Sequence, residues 1–433
     1  MRINISPFIL YIFIGIGLGI ILVINIPSYA VGIPIIILSF FIFFIYPRFA
    51  ILSLVFVKPA IEKSIVITRI SIKGLTTINL VGVLNLFILI AGIFYIITNR
   101  IKIFKLPIGL PSFIFSIICL ISIFISPDIV AGLKGWFAIT CPFIIYALVT
   151  DLFKNRKQLI RLINVSILSM VIPCLVGFYQ FLTSIDMFDF TGTYRICGTF
   201  NHPNLFGVYL TLLLPIGIIL FFYYPEFSLE KLGIGILSLM MILCLFLTLS
   251  RGGWIGFGTA IIIIGILKYK KLLSVGIILL IILAPIIYLR FQDITTFMIR
   301  IKLWERGLNL FLHNPILGIG LGGFEVNVID IVGTISHSHN EFIKFATDTG
   351  LLGLGSFLWI LINLIKNVVN TYRKTLDPYF KTILIGIIAI FSSYIIMSLN
   401  ESLYIHVGFI GTFYTLAAVP YVISNIERRE KIM

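Results

Sequence analysis

The sequence predicts an all-α, polytopic membrane protein with roughly 12–14 transmembrane helices and one large extracytoplasmic loop. Of its 433 residues, 60% are hydrophobic and only 11% are charged, whereas a soluble domain usually has about 25% charged residues. Apolar runs of about 20 residues, the length that crosses the hydrocarbon core, recur along almost the whole chain. The net charge is +15, which in a membrane protein indicates cytoplasmic loops rather than a nucleic-acid partner.

The apolar runs define the predicted spans. The first run lacks a clear cleavage site, so we expect it to be retained as a helix. The segment Phe49–Val57 is short and is either a further span or a half-helix. The other predicted spans are Pro7–Ile24, Tyr29–Tyr46, Leu75–Thr98, Leu106–Ile125, Val130–Val149, Leu159–Leu182, Leu205–Tyr224, Leu232–Leu249, Trp254–Leu267, Leu272–Phe291, Phe342–Ile365, Phe380–Leu399 and Tyr404–Ser424.

Lys and Arg residues predict the orientation, because they are enriched in cytoplasmic loops. They are concentrated in alternate connections, so the other connections face outward; the longest of these is 292–340. Long connections are often functional. We therefore divide the chain into N-terminal transmembrane helices, 1–182, and a second region, 183–433, which includes the loop 292–340 and is the candidate functional region.

The outward connections are nevertheless rich in basic residues, against the topological rule. Ionisable groups at the membrane edge are candidate functional residues, and the planar guanidinium of Arg matches phosphate oxygens. The pattern therefore predicts an anionic, phosphorylated ligand on the outer side. The residues concerned are Arg195, His202, Arg251, Arg300, Lys302, Arg306, His313, His337 and His339.

Two outward segments each carry an Arg beside a predicted helix start. In YRICGTFNHPN, Asn201 or Asn204 together with Pro203 is typical of a helix beginning, which would bring Arg195 and His202 to the lip of a cavity. A polar interfacial turn is the alternative. In LSRGGWIGFG, Arg251 either extends to the outer interface or points into a water-filled cavity, and the nearby glycines allow close helix packing.

The large loop contains the segment RIKLWERGLNLFLHNPILGIGLGGF. Its apolar residues recur at helical spacing, which predicts an amphipathic helix on the outer surface with Trp304 at the interface. Gly318, Gly320 and Gly323 match GxGxxG, but they follow no predicted strand and belong to no βαβ unit, so a nucleotide site is rejected. A compact turn is the better interpretation.

The segment SHSHNEFIKFATDTGLLGLG carries two histidines. Ser338 and Glu341 match a capping box, which would place His339 and Asn340 in the first helical turn. The positive helix end would keep His339 neutral and able to accept a proton. Surface histidines beside a plain cap, or a metal held by the histidine pair, are the alternatives.

Asn400 and Glu401 lie at the outward junction of the last two predicted spans. Glu401 is a candidate salt-bridge partner for one of the arginines. Simple loop polarity is an equally good interpretation.

In combination and in this order, these segments resemble the O-antigen ligase and polymerase superfamily of bacterial membrane glycosyltransferases. The resemblance covers about the C-terminal half of the chain. It depends on Arg195 ahead of Gly198–Phe200 and His202–Asn204, on Ser250–Gly252, on Arg300 four residues before Trp304, on Pro315–Phe324, and on His339 and Asn340 followed by Gly350 and Gly353.

The resemblance implies a GT-C-type fold in a bacterial plasma or inner membrane, with the active site on the extracytoplasmic side. It also implies a metal-independent, inverting transfer without a cofactor. The partners would be an undecaprenyl-pyrophosphate-linked oligosaccharide donor, a glycan or lipid-linked acceptor, and membrane lipid. His339 would be the general base, and Arg195, Arg251 and Arg300 would stabilise the pyrophosphate. His202, Asn340 and Glu401 would position or bind substrate.

Two alternatives remain at this stage. Polymerases and ligases have similar sites, but the Ile- and Lys-rich composition suggests an AT-rich, Gram-positive genome without a lipid A core, which favours a polymerase. A transporter or flippase of a lipid-linked or anionic substrate would also be a helical bundle. Transporters often have internal repeats and midplane sites, neither of which is apparent here.

Overall fold

A computed structural model describes residues 43–67, 69–70, 78–190, 193–225, 228–274, 276, 294–333 and 336–432. Nearly all regular structure in these ranges is helical, which confirms the predicted fold class. Short 3₁₀ turns lie at Ile103–Lys105 and Leu403–Ile405. The helices are α1 (Pro47–Ile67), α2 (Leu80–Thr98), α3 (Gly109–Ile123), α4 (Ile129–Leu152), α5 (Arg156–Leu168), α6 (Val171–Thr183), α7 (Pro203–Tyr223), α8 (Leu229–Leu247), α9 (Arg251–Leu267), α10 (Ile294–His313), α11 (Gly323–Val326), α12 (Ile329–Val332), α13 (Glu341–Lys374), α14 (Pro378–Ser398) and α15 (Val407–Glu430).

The chain is a multi-pass membrane protein. Within the described ranges, 7 helical segments are long and apolar enough to cross a membrane, with α5 and α6 taken together, and three shorter apolar helices accompany them. Some predicted spans lie outside the described residues. These are Pro7–Ile24, which was expected to be a retained first helix, and most of Tyr29–Tyr46 and Leu272–Phe291.

One predicted segment is longer than its apolar run suggested. Phe49–Val57 belongs to α1, a helix of 21 residues. The run appeared short because Lys58 and Glu62 follow it. Both side chains are buried inside the protein, with 7% and 5% exposure, so the helix continues through them.

Two short antiparallel hairpins lie outside the helices. The first pairs Arg69–Ile70 with Ile78–Asn79. The second pairs Phe188–Phe190 with Thr193–Arg195 and aligns Phe188 with Arg195. Directly opposed residues share one face of a hairpin. Phe188 is therefore on the same face as Arg195, which is buried.

Helix α7 forms the centre of the bundle and packs against α8, α9 and α14. A helix that is apolar on all sides is expected to be buried, and every residue from Leu205 to Leu220 is buried. The start of α7 lies very close to the start of α9: a Cβ at Gly207 would be 2.7 Å from the Cβ of Ser250. The beginnings of these two helices therefore meet at one end of the bundle.

Helix α13 is broken at Gly350, whose φ of 63° is in the left-handed region. The break leaves backbone groups without helical partners, and the glycine-containing turn of the large loop provides these partners. Ile319 N donates to Thr347 O at 2.9 Å, and Leu351 N donates to Pro315 O at 2.7 Å. The predicted compact turn is thus confirmed, and it fills the break in α13.

Gly350→Ala is expected to destabilise the fold strongly. The left-handed backbone alone costs a non-glycine residue about 1–3 kcal/mol, and an added Cβ would be 2.3 Å from the Ile316 backbone. Thermal unfolding of the detergent-solubilised protein measures the effect. Gly355→Ala in the same helix is the matched control, because its Cβ would meet nothing within 4 Å; equal midpoints for the two variants would contradict the prediction.

Candidate active site

The carboxylate of Glu401 is the centre of a polar cluster where α7, α9 and α13 begin. Its Oε2 is 3.1 Å from His339 Nδ1, and its Oε1 accepts a hydrogen bond from Asn204 Nδ2 at 3.0 Å. Arg300 Nη2 is 3.6 Å from Oε1. A single buried carboxylate thus connects three segments that are far apart in the sequence.

The surroundings of Glu401 keep its carboxylate charged. Burial alone would raise its pKa, but the hydrogen bond and charge of His339, together with the charge of Arg300, outweigh burial and lower the pKa to about 2. Glu401 is therefore ionised at physiological pH, where it acts only as a hydrogen-bond acceptor.

Arg300 projects from α10 into this cluster. Its Nη1 donates to the carbonyl oxygen of Asn400 at 3.1 Å, and its side chain is 18% exposed. The Nε is buried and has no acceptor among the described residues. A buried donor without an acceptor is costly, so this part of the guanidinium is suited to receive a ligand oxygen.

Arg195 is more deeply buried, with 4% exposure. Its Nε donates to Thr248 O and its Nη2 to Asn204 Oδ1, both at 2.7 Å. Because Asn204 in turn donates to Glu401, Arg195 orients the amide that supports the central carboxylate.

His202 begins α7, which corrects the prediction that Asn201 or Asn204 is the cap. Its Nδ1 accepts a hydrogen bond from Asn204 N at 3.1 Å, and Pro203 takes the first helical position. The ring packs edge-on against Phe188, with centroids 4.7 Å apart. Burial, reinforced by the charge of Arg195, lowers the pKa of His202 to about 4, so the imidazole is neutral.

Arg251 is the first residue of α9, at the edge of the cluster. Ser250 caps this helix by accepting a hydrogen bond from Gly253 N at 3.2 Å. A Cβ at the next residue, Gly252, would be 3.8 Å from Glu401 Cγ. Arg251 is partly buried, and the helix that it begins starts next to the central carboxylate.

The placement of His339 in a first helical turn was wrong. The cap of α13 is Asn340, whose side chain accepts hydrogen bonds from Phe342 N and Ile343 N, and His339 precedes it with a φ of 50°. Ser338 lies two residues before the cap, and its hydroxyl donates to Asn340 O at 2.7 Å instead of accepting from a helical N–H group. Non-glycine residues in this region of backbone space are strained and are common at functional sites.

The other half of the predicted capping box has a different structural role. Glu341 Oε2 accepts hydrogen bonds from Tyr394 OH at 2.7 Å and Ser398 Oγ at 2.9 Å, and Oε1 accepts from Tyr404 N at 2.6 Å. Glu341 therefore ties α13 to α14 and to the turn that follows Glu401.

The predicted amphipathic helix of the large loop is α10, and Trp304 has a specific contact. Its Nε1 donates to Ser338 O at 2.9 Å. Trp304 therefore fixes the segment that carries His339, while Arg300, one turn earlier on the same helix, reaches Glu401.

A buried charge network close to the site was missed by sequence reasoning. Lys344 Nζ lies 2.5 Å from Glu325 Oε1 and 3.0 Å from Asp348 Oδ2. Asp348 also accepts hydrogen bonds from Gly322 N and Phe324 N. The network fixes the glycine-containing turn and α11 to the start of α13. The i, i+4 spacing of Lys344 and Asp348 in an apolar helix was its only sequence signal.

His406 and the supporting role of Asn204 were also missed. His406 lies within the predicted span Tyr404–Ser424, but α15 begins only at Val407. An ionisable residue inside an apparent span was the available signal. Burial lowers the pKa of His406 to about 4, although the nearby charge of Glu401 opposes this effect.

The two neutral histidines predict an acid-sensitive fold. His202 and His406 have folded-state pKa values of about 4 against an ordinary 6.5, so the unfolded chain binds more protons between these values. The contribution of these histidines to the free energy of unfolding is present above pH 6.5 and is lost as the pH falls towards 4. The contribution of Glu401 is lost at lower pH, between 4.5 and about 2.

Thermal midpoints measured from about pH 7 to about pH 4.5 test this dependence. The double variant His202→Asn, His406→Gln is expected to have a flatter profile than the wild type. His313→Gln is the control, because His313 is exposed at the end of α10. An unchanged slope in the double variant would count against the neutral histidines as its source.

The geometry thus brings a histidine, a carboxylate and two arginines together where several helices begin, with Arg251 beside them. Residues 236–358 match the O-antigen ligase family. The recognition from sequence is confirmed over these residues, and the chain carries an O-antigen ligase domain. This domain includes Arg251, Arg300, His339 and Asn340, whereas Arg195, His202 and Glu401 lie on either side of it.

Among curated proteins, none matches the chain. Within the part of the chain that the structure describes, no group of three or more His, Cys, Asp or Glu side chains is arranged to hold a metal ion. His337, the other member of the predicted histidine pair, contacts Glu325 Oε1 at 3.2 Å and takes part in the charge network instead.

Proposed function

We propose that this protein is an inverting, metal-independent glycosyltransferase that transfers a glycan from undecaprenyl pyrophosphate to a hydroxyl group of an acceptor sugar. The O-antigen ligase domain supports the class of lipid-linked glycan substrates. The reaction itself is argued from the cluster around Glu401.

The observation that carries the proposal is the contact between His339 and Glu401. An ionised carboxylate accepts a hydrogen bond, so His339 donates from Nδ1, and the neutral tautomer that this hydrogen bond selects has its lone pair on Nε2. The His339 side chain is 32% exposed, which leaves Nε2 accessible to a substrate. This is the arrangement expected of a general base oriented by a carboxylate.

In the proposed reaction, the acceptor hydroxyl oxygen forms a bond to the anomeric carbon of the donor. The bond between that carbon and the pyrophosphate oxygen breaks, and undecaprenyl pyrophosphate leaves with the electron pair. The hydroxyl proton passes to His339 Nε2. Attack opposite to the leaving group in a single displacement inverts the anomeric configuration.

The arginines stabilise the negative charge that develops on the leaving group. Arg300 is the leading candidate, because its buried Nε has no protein acceptor in the described ranges. Arg251 begins α9, whose next residue, Gly252, lies close to the same carboxylate, and it is the second candidate. Arg195 positions Asn204 and adds positive charge to the site.

We further propose that the cluster faces outward in a bacterial plasma membrane. The polyprenyl chain of the donor lies in the bilayer, so its reacting carbon lies at an interface, and the Lys/Arg pattern assigns the segments of this cluster to the outer one. In this proposal 183–433 is the catalytic region, 1–182 packs against it as supporting helices, and the architecture is of the GT-C type.

Polymerisation of repeat units is favoured over ligation to a lipid A core. The support is compositional: an Ile- and Lys-rich chain fits a Gram-positive host, in which a capsule or wall polysaccharide is extended. Deletion of the gene distinguishes the two activities. Loss of a polymerase leaves single repeat units on the lipid carrier, whereas loss of a ligase leaves long glycans that are not attached to an acceptor.

Reconstitution tests transfer directly. Proteoliposomes containing the purified protein receive lipid-linked oligosaccharide extracted from the host, and the products are sized by gel electrophoresis. We expect longer glycans and released undecaprenyl pyrophosphate, both dependent on His339. Movement of the lipid-linked substrate across the bilayer without any glycan transfer, unaffected by His339→Ala, would identify a transporter instead.

A further inference from the structure

The segment after Glu401 forms a single turn that is held in place from two sides. Tyr404 N donates to Glu341 Oε1 at 2.6 Å, and Ser402 Oγ is 3.0 Å from Ser338 Oγ. Leu403 and Tyr404 are buried, with 0% and 3% exposure. The turn therefore fixes the positions of the residues at its two ends, Glu401 and His406.

His406 differs from His202, the other histidine at the start of a buried helix. His202 uses Nδ1 to cap α7 and packs against Phe188. His406 precedes α15 without a side-chain capping hydrogen bond, and it is only partly buried. No described residue hydrogen-bonds its imidazole, so within the described ranges both ring nitrogens can accept or donate to a ligand.

The polar groups around His406 belong to the candidate active site. Glu401, His337, His202 and His339 all interact with it electrostatically. Helix α1 packs against the start of α15, where a Cβ at Gly408 would be 2.6 Å from Glu62 Oε2. The imidazole of His406 thus adjoins the site, and Glu62 packs against Gly408, two residues further along the chain.

A neutral imidazole offers one N–H donor and one nitrogen acceptor. Burial lowers the pKa of His406 to about 4, so this is its form at physiological pH. Sugar hydroxyl groups both donate and accept hydrogen bonds and match this pair, whereas phosphate oxygens only accept and are better served by the arginines.

We propose that His406 is a specificity-determining residue that hydrogen-bonds a hydroxyl group of the sugar bound in this site. The proposal rests on the glycosyl transfer proposed above. It assigns to His406 a contact with the sugar part of the substrate and leaves the pyrophosphate to Arg300 and Arg251.

Two probes separate these contacts. Undecaprenyl pyrophosphate carries no sugar, so His406→Ala is expected to bind it as the wild type does, while Arg300→Ala binds it much more weakly. With lipid-linked oligosaccharide extracted from the host, His406→Ala is expected to lower kcat/KM about tenfold, the effect of about 1.4 kcal/mol. His406→Gln, which retains a donor and an acceptor, should recover most of this loss.

The kinetic constants identify which sugar is contacted. A raised KM for the donor at saturating acceptor assigns the donor sugar, and a raised KM for the acceptor at saturating donor assigns the acceptor sugar. If His406→Ala does not purify as a folded protein, His406→Phe compared with His406→Gln makes the same test.

Two results would overturn this inference and leave the proposed function intact. One is a normal kcat/KM in His406→Ala. The other is binding of undecaprenyl pyrophosphate that His406→Ala weakens as much as Arg300→Ala does. An absence of glycan transfer by the wild type would instead overturn the proposed function. The two failures are therefore distinguishable within one set of measurements.

Discussion

Replacement of His339 by glutamine is expected to lower kcat for glycan transfer by about 10²- to 10⁴-fold, the usual contribution of a general base. Glutamine can still donate a hydrogen bond to Glu401, so the local fold should persist, but its amide cannot take up the acceptor proton. Product formation at saturating substrate, measured in proteoliposomes, checks the prediction, and binding of undecaprenyl pyrophosphate should be retained.

His313→Gln is the matched control for this variant. His313 lies at the exposed end of α10, where its Nδ1 contacts the carbonyl oxygen of Asn309 at 2.7 Å, and its loss should leave kcat unchanged. A His339→Gln enzyme with near-normal kcat would remove the histidine from the chemistry and leave it a role in substrate positioning.

Arg300→Lys is expected to reduce kcat by about 10²- to 10³-fold, the effect of losing one preorganised donor to developing negative charge. A lysine retains the charge but cannot contact Asn400, Glu401 and a phosphate oxygen with one rigid planar group. Measurement of both kcat and the affinity for undecaprenyl pyrophosphate checks this, because both should fall.

Arg306→Lys provides the control on the same helix. Arg306 is exposed and contacts Asn327 O and Asp330 at 3.2 and 3.4 Å, away from Glu401. Its replacement should change neither measurement. If Arg300→Lys and Arg306→Lys had equal activity, phosphate recognition by Arg300 would have to be abandoned.

The helical architecture was predictable because each apolar run has to cross the bilayer as a helix. Observed boundaries such as Pro203–Tyr223 lie within a few residues of the predicted Leu205–Tyr224. The break at Gly350 was not predictable, because it depends on hydrogen bonds from the turn at Pro315–Gly320, which lies well before α13 in the sequence.

The candidate residues of the site were mostly predictable, but their connections were not. Basic residues in segments that were predicted to face outward indicated Arg195, Arg300 and His339. Glu401 was one of two polar residues at a junction, and nothing local distinguished a central carboxylate from loop polarity. The capping box at Ser338 and Glu341 correctly predicted that a helix begins here, but it assigned the wrong cap. Asn340 caps the helix, and Glu341 makes tertiary hydrogen bonds instead.

The break in α13 determines which part of the chain can be exchanged between homologues as a unit. Residues 341–349 are hydrogen-bonded to the glycine-containing turn and joined to α11 through Lys344 and Asp348. A chimaera that exchanged only the loop up to Asn340 would separate these partners. A unit that keeps all of these contacts therefore runs from the start of α10 to Leu352, because Leu351 N and Leu352 N also donate to Pro315 O and Ile316 O of the turn.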